Sequence, residues 1–261
     1  MVDLTVKEIG TKLAQAGMLK TSVLCVYGSK TIPANATPIK KINRCLANAI
    51  FTLSAQKING PVYIGEDDLG GYCPGGQAWF GYKSFMPMLK YFLSTGSEDF
   101  RGGAAEFLIA TPDLAEKQLK SIGKIIPLGI YTIIQKCDEM DDQNPEVKAF
   151  ICFGVSEQIR NLSSLAHFRP ENPVNIQNLW GASCASFVTY PAGMTENSPK
   201  NNIIIGPSDP TGNSWFPQNY LSIGIPFEIA KRMAFDLDRS FITKRSEVAY
   251  PINRTSNKNL E

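Results

Sequence analysis

Short apolar runs, each closed by small or acidic residues, recur along the chain and predict buried β-strands. Residues 22–29 and 149–156 are the clearest examples, because β-branched and aromatic residues surround a central Cys and the run closes with Gly and Ser. The same criteria predict the remaining strands over residues 61–65, 107–111, 202–206 and 220–226.

Amphipathic segments between these runs predict helices. One contains Ile9 and Leu13, and another begins at Ser156, a residue type favoured at helix N-termini. Helices are also expected after Pro112 and Pro226, since Pro is tolerated at the first helical position, where its missing N–H costs no hydrogen bond. Their apolar faces predict that both of these helices pack on the sheet. Those faces consist of Leu114, Ala115, Leu119 and Ile122 in the first helix and Phe227, Ala230, Met233, Ala234 and Leu237 in the second.

The predicted elements occur twice in the same order. In each copy a Cys-containing strand precedes a small-residue segment that begins with Cys, at Cys45 and at Cys184, and a Trp-Phe pair follows later, at residues 79–80 and 215–216. Internal repetition is a signature of duplication. The chain is therefore predicted to be a single α/β (α+β) domain built from two diverged, pseudo-twofold repeats, with mixed sheets and packed helices. Two separable domains are the alternative.

The limits of the repeats follow from the points at which the pattern is interrupted. A single domain of residues 1–261 is predicted to hold a first repeat over about residues 20–137 and a second over about 147–242. The acidic, Pro-containing stretch 138–146 is predicted to connect them, and residues 251–261 to form a flexible tail.

Composition narrows the classes of function. Hydrophobic residues make up 43% and charged residues 19%, as in ordinary globular proteins, and the 26 basic residues are scattered, so nucleic acid is not an expected partner. The longest apolar windows are about half the roughly 20 residues that a membrane helix needs.

The N-terminal residues lack the apolar stretch of a secretory signal, so a cytoplasmic protein with six reduced cysteines is predicted. Motifs of nucleotide hydrolysis, dinucleotide binding, zincins and serine hydrolases do not occur.

Five features in a fixed order resemble a known family. They are the strand after the first helix, Arg44-Cys45 with the small-residue segment behind it, residues 65–68 followed by residues 73–76, Cys152-Phe153 before a helix, and residues 181–184. In this order they resemble the archaeal and bacterial domain-of-unknown-function family 169 (DUF169), over about residues 19–242. The resemblance implies a cytoplasmic protein common in anaerobes and methanogens, and it implies no particular reaction.

A glycine-rich loop around Cys73 has no counterpart in the second repeat, where residues 210–214 take its place. Glycines let backbone come close to a ligand, and the N–H groups of such a turn can lower the pKa of a thiol. Cys73 is therefore the candidate catalytic residue, and Gly75 and Gly76 are candidate ligand-binding residues. The alternative is a glycine-rich turn that contains an incidental Cys.

Cys45 and Cys184 each open a predicted helix, where the helix dipole favours a thiolate or a bound anion. A pseudo-twofold axis would bring them together, and with Cys73 they could ligate an iron–sulfur cluster or a zinc ion. None of the three has a CxxC spacing, so the alternative is that they are buried core thiols. Cys25 and Cys152 lie in mid-strand and are predicted to belong to the core.

Other polar and aromatic residues are weaker candidates. Arg44 is singled out as a ligand-binding cation, because a guanidinium at the start of a helix can pair with an anion, although a surface ion pair fits equally. The acids 66–68 are expected to face water, and His167 is expected to cap a helix. The Trp-Phe pairs at 79–80 and 215–216 either line a pocket or fill the core.

These candidates combine into a leading functional hypothesis. A pocket between the repeats binds a small anionic molecule or a metal centre through Cys73, Cys45, Cys184 and Arg44, and a thiol-based or metal-based redox role follows. The alternative is a non-catalytic binding or interaction module, for example a subunit of a larger anaerobic enzyme, in which the cysteines belong to the core. A duplicated unit supplies its own partner, so both a monomer and a homodimer fit.

Overall fold

One mixed β-sheet organises the chain in the computed structural model, which describes residues 3–55, 58–140, 145–198 and 201–250. Its strands are β1 Leu24–Ser29, β2 Thr37–Pro38, β3 Val62–Gly65, β4 Tyr131–Lys136, β5 Val147–Val155, β6 Asn175–Gln177, β7 Asn202–Gly206 and β8 Tyr220–Pro226. They lie in the order β2-β3-β4-β1-β5-β8-β7-β6. The predicted α/β fold with a mixed sheet is confirmed.

Helices cover both faces of this sheet. They are α1 Val6–Gly17, α2 Leu46–Ala55, α3 Pro74–Trp79, α4 Leu89–Phe92, α5 Pro112–Ser121, α6 Ser156–Ala166, α7 Phe227–Asp236, α8 Phe241–Lys244 and α9 Ser246–Ala249, of which α4, α8 and α9 are single turns. The π-helix Ala185–Thr189 lies between β6 and β7 in the chain.

The strand order is pseudo-symmetric about the centre of the sheet. From one edge inward it runs β2-β3-β4-β1, and from the other edge inward it runs β6-β7-β8-β5, so each strand of the first half corresponds to the strand numbered four higher. β1 and β5 pair antiparallel at the centre, and β4 and β8 flank them, also antiparallel. The outermost pair in each half, β2 with β3 and β6 with β7, is parallel. A duplicated unit would produce this arrangement, while the duplication and its boundaries stay predictions.

Two hydrophobic cores lie on the two faces of the sheet, because side chains alternate between the faces along each strand. In β1, Cys25 and Tyr27 pack in the core formed with α1, α6 and α7. Leu24 and Val26 pack in the other core, with α2 and the π-helix. The central strands are therefore buried on both faces, and their runs are apolar without a polar alternation.

Helix α1 shows how local sequence fixes an element on the first face. The Thr5 hydroxyl accepts a hydrogen bond from the backbone N–H of Glu8, and the Glu8 carboxylate accepts one from the N–H of Thr5, at 3.2 and 2.7 Å. This reciprocal capping box satisfies two of the free donors at the helix start. Ile9 and Leu13 are buried on the face that packs against α6 and α7.

Replacing Thr5 with Ala is expected to lower the free energy of unfolding by about 1 kcal/mol, because the helix loses its N-terminal cap. Urea denaturation followed by circular dichroism measures the change. Thr11→Ala is the matched control, since the Thr11 hydroxyl donates only to the carbonyl of Lys7 within the helix and its loss is expected to cost less than about 0.5 kcal/mol. Equal losses in the two variants would show that the capping box contributes nothing.

The strand predicted over residues 107–111 is wrong. Residues 108–110 form bends, and Phe107 adopts a left-handed conformation with its side chain 75% exposed. The strand that pairs with β1 in the first half is β4, which the sequence analysis did not predict. The apolar run before Pro112 belongs to a loop, in which the N–H groups of Leu108 and Ile109 both donate to the carbonyl of Leu93 and not to a strand.

Helix α5 begins at Pro112 with Thr111 as its N-cap, where the pattern predicts a helix. The prediction that it packs on the sheet is wrong, because α5 packs mainly against α4 and Leu114 is 48% exposed. In contrast, α7 contacts β5 and β8 as predicted.

Some predictions fall outside the described ranges. The flexible tail 251–261 lies beyond them, and so do residues 141–144 of the acidic connector. No helix in the described part of the chain is long and apolar enough to cross a bilayer.

Candidate functional site

A cavity of about 390 Å³ lies beside the core formed by α2 and the π-helix. Its volume is within the range of small-molecule sites, roughly 300–1,000 Å³. The first half of the chain contributes the starts of α2 and α3 and several residues between 85 and 108. The second half contributes residues from 180–184 and from 208–215. The cavity is therefore formed by both of the predicted repeats together.

Aromatic side chains form much of the cavity wall. All three tryptophans of the chain, Trp79, Trp180 and Trp215, line it. The rings of Trp79 and Trp180 are 6.4 Å apart. The phenylalanines of the two Trp-Phe pairs, Phe80 and Phe216, are buried in the core instead. Trp79 is buried in the same core and also reaches the cavity wall.

Three cysteines that are distant in sequence meet at this cavity. Cys45 immediately precedes α2, Cys73 is the N-cap of α3, and Cys184 immediately precedes the π-helix. All three line the cavity. The side chains of Cys45 and Cys73 interact with each other. The helix-opening positions inferred from sequence are therefore brought together by the fold.

The backbone around Cys73 is held tightly against the start of α2. The N–H of Cys73 donates to the carbonyl of Arg44 at 3.0 Å, and the N–H of Gly76 donates to the Cys73 sulfur at 3.3 Å. A Cβ at Gly76 would lie 2.8 Å from Cδ1 of Leu46 and 3.0 Å from that sulfur. Only glycine lets the first turn of α3 approach the thiol and α2 so closely.

These contacts lower the pKa of Cys73 to about 6. The largest cause is the hydrogen bond that the Cys45 thiol donates, and the N–H groups of Gly76 and Leu46 add to it, while burial acts in the opposite direction. The pKa of Cys45 is raised, because its proton is held by Cys73 and because it is partly buried. The pair is therefore a thiolate at Cys73 with a neutral thiol at Cys45 near pH 7.

Cys184 differs from the other two cavity cysteines because it is almost fully buried. Burial, and after it the charge on Cys73, raises the pKa of Cys184 well above its usual value. Among the described residues, no three His, Cys, Asp or Glu side chains are placed to hold a metal ion. Cys45, Cys73 and Cys184 do not form such a group, and the zinc or iron–sulfur ligation inferred for them from the sequence stays a prediction.

Arg44, the predicted ligand-binding cation, does not line the cavity. It is exposed, and its Nε donates to the carbonyl of Gly71 at 2.9 Å, so it braces the glycine-rich loop. The cation at the cavity is Arg101, whose guanidinium lies 4.4 Å from the ring centre of Phe92. The flanking Phe100 and the glycines 102–103 are the sequence signal that could have marked Arg101, because they resemble the surroundings of Cys73.

Two carboxylates and the Ser183 hydroxyl also contribute to the polar part of the wall. Burial, and then the charge on Asp209, raises the pKa of Glu106, while Arg101 lowers it. Asp209 accepts hydrogen bonds from the N–H of Thr211 at 2.9 Å and of Ser183 at 3.4 Å. The Ser183 hydroxyl is buried and has no hydrogen-bond partner within the described residues. The sequence did not single out any of these groups as a site residue, although Ser183 lies within residues 181–184, one of the features that resemble the family.

The remaining candidates lie elsewhere on the molecule. Glu66 and Asp67 are exposed, as expected, and Asp67 accepts a hydrogen bond from the Tyr131 hydroxyl at 2.7 Å. His167 is exposed at the C-cap of α6. Gly75 and Gly76 both line the cavity.

Fold and site together define a class of protein: an α/β protein with a central mixed sheet and an aromatic-walled cavity that carries a pair of interacting thiols. The model of the family DUF169, described as "Uncharacterised ArCR", matches residues 12–236, and the chain belongs to this family. The resemblance inferred from the sequence is confirmed. No curated protein and no solved structure matches the chain.

Proposed function

We propose that the chain binds a small, mainly apolar molecule in this cavity and presents the Cys73 thiolate to it. The observation that carries the proposal is the convergence of Cys45 and Cys73 with all three tryptophans on the wall of one cavity. A reactive thiol beside an apolar pocket is the arrangement used to attack an electrophilic carbon or sulfur of a bound molecule. The six cysteines are free thiols, which suits a reducing compartment such as the cytoplasm.

The wall favours a neutral or cationic ligand over the anion inferred from sequence. The wall carries three acidic groups, Glu106, Asp209 and Cys73, and Arg101 is the one basic side chain among the described residues that line the cavity. Bringing an anion into this enclosed space would add like-charge repulsion to the cost of desolvation. Aromatic faces and carboxylates together suit apolar molecules that carry a donor or a positive charge.

Intrinsic fluorescence tests this proposal, because every tryptophan lines the cavity. N-phenylnaphthylamine, a neutral aromatic probe that accepts energy from tryptophan, is expected to bind and quench tryptophan emission. Its sulfonated analogue, anilinonaphthalenesulfonate, is expected to bind at least about ten-fold more weakly, since one like charge in a buried site costs more than about 1.4 kcal/mol.

Gly75→Leu is the blocking variant and Gly70→Leu its matched control. A Cβ at either glycine meets no atom within 4 Å, so both substitutions fit the backbone, but only Gly75 lines the cavity. Gly75→Leu is expected to weaken binding of the neutral probe at least about ten-fold, and Gly70→Leu to leave it unchanged. Equal binding by all three proteins, or tighter binding of the sulfonate, would overturn the proposed ligand class.

A further inference from the structure

We propose that Cys45 and Cys73 form a dithiol–disulfide pair that reduces small disulfides bound in the cavity. This inference rests on the proposed function, because it assigns a substrate class and a reaction to the same cavity. It starts from two cysteines at the starts of two different helices that line one cavity, where the N–H of Cys73 donates at 3.0 Å to the carbonyl of Arg44, the residue before Cys45.

The two sulfurs are arranged for consecutive steps. Cys73 receives hydrogen bonds from the Cys45 thiol and from the N–H of Gly76, so the attacking sulfur is Cys73 and the sulfur with a proton is Cys45. A resolving cysteine must lie within reach of the first sulfur, and Cys45 shares the cavity wall with Cys73 and follows Arg44, whose carbonyl accepts the N–H of Cys73 at 3.0 Å.

A second thiol pair in the same chain shows which features matter. The side chains of Cys137 and Cys25 also interact, in the core on the opposite face of the sheet. Both cysteines are buried, and burial raises the pKa of Cys137 well above its usual value. Contact between two thiols is therefore shared by both pairs, but only Cys45 and Cys73 line a cavity and carry a stabilised thiolate.

The cavity limits the disulfides that can reach this pair. Its volume of about 390 Å³ admits a small molecule and excludes a folded protein as substrate. The tryptophan faces favour aromatic or aliphatic substituents, and Glu106 and Asp209 disfavour acidic ones. The Ser183 hydroxyl, 2% exposed and without a partner within the described residues, offers a hydrogen bond to a polar atom of the substrate.

The reaction is balanced without a further reagent. The Cys73 thiolate attacks one sulfur of R–S–S–R, a bond forms between Cys73 and that sulfur, and R–S⁻ leaves. Cys45 transfers its proton to the departing thiolate and attacks the Cys73 sulfur, which breaks the mixed disulfide and releases a second R–S⁻. The substrate disulfide gains two electrons, and the protein gains a Cys45–Cys73 disulfide.

Dithiodipyridine tests the proposal, because it is a neutral aromatic disulfide that releases a coloured thiopyridone. It is added in less than stoichiometric amount to the full chain, which has been reduced beforehand. Wild type is expected to release two thiopyridones per probe molecule, and peptide mapping is expected to find a Cys45–Cys73 disulfide with Cys25 and Cys137 still as thiols. Cys45→Ser keeps a hydrogen-bond donor, so it is expected to release one thiopyridone and to trap the other on Cys73. Dithiothreitol is expected to restore the wild-type dithiol.

Substrate preference is measured against dithiobis(nitrobenzoate), which carries two carboxylates. Each reaction rate of the protein is divided by the rate at which free cysteine reacts with the same probe. This normalised rate is expected to be at least about ten-fold higher for wild type with the neutral disulfide. Gly75→Leu is expected to slow the reaction with the neutral disulfide, and Gly70→Leu to leave it unchanged. An absent preference together with an unaffected Gly75→Leu variant would show that the disulfide does not react within the cavity.

The outcomes separate this inference from the proposed function. If wild type also stops at one thiopyridone and retains the mixed disulfide on Cys73, the resolving role of Cys45 is overturned and the reactive cavity thiolate stands. If Cys73→Ser, with an unchanged circular dichroism spectrum, reacts as fast as wild type, the thiolate of the proposed function is overturned as well.

Discussion

Iodoacetamide is expected to alkylate Cys73 of the native protein at mildly acidic pH, and Cys73→Ser is expected to remove that reaction. The pKa of Cys73 is lowered to about 6, whereas an ordinary thiol has a pKa of about 8.5. The alkylation rate of wild type is therefore expected to reach half of its maximum near pH 6. At that pH the total rate is expected to fall at least about ten-fold in Cys73→Ser, because the thiolate is the reactive species. Timed mass spectrometry of the intact protein measures both rates.

Two variants of Cys45 separate its hydrogen bond from its bulk. Cys45→Ala removes the donor that contributes most to the low pKa of Cys73, so the midpoint of alkylation is expected to move to higher pH. Cys45→Ser retains a donor, and a smaller movement is expected. A wild-type profile with a midpoint near the ordinary value of about 8.5, unchanged in both variants, would contradict the thiolate assignment.

Phe153→Ala is expected to lower the free energy of unfolding by about 3–5 kcal/mol, the usual cost of removing a buried phenyl ring. Phe153 is fully buried on the central strand β5. Its ring centre lies 4.9 Å from that of Phe187 and 5.3 Å from that of Phe51, so the substitution opens a void between α2, the π-helix and the sheet. Equilibrium denaturation in urea, followed by circular dichroism, measures the loss.

Phe107→Ala is the matched control, because it removes the same ring from a site that is 75% exposed. Its effect is expected to lie within about 0.5 kcal/mol of zero. Similar losses in the two variants would mean that the core on this face of the sheet does not depend on the aromatic cluster around Phe153.

The strands that could be predicted are those buried on both faces. β5 and β7 are apolar along most of their length because both faces of each strand are buried, so composition alone predicts these strands. The run ending at Ala110 has the same composition, but there Phe107 turns the chain into the loop beside the cavity. Tertiary contacts therefore decide whether such an apolar run becomes a strand or a loop. They also decide that β4 forms beside β1, which the sequence pattern does not predict.

The candidate site was predictable as far as it depends on helix starts. Cys45 and Cys184 open helical segments, and the glycines after Cys73 allow close approach, so these positions could be inferred from residue type. Arg44 could not be excluded from sequence, because the direction of its side chain depends on the carbonyl of Gly71 in a distant loop. Arg101 and Glu106 reach the cavity through a long irregular segment whose course has no periodic pattern.

The edges of the sheet bear on how copies of the chain can associate. In the described part of the chain the sheet ends in β2, which is two residues long and contains Pro38, and in β6, which is three residues long. Such short ends offer few free backbone donors and acceptors, and Pro38 offers no donor at all. The edges of the sheet therefore offer a neighbouring copy few backbone groups with which to extend it.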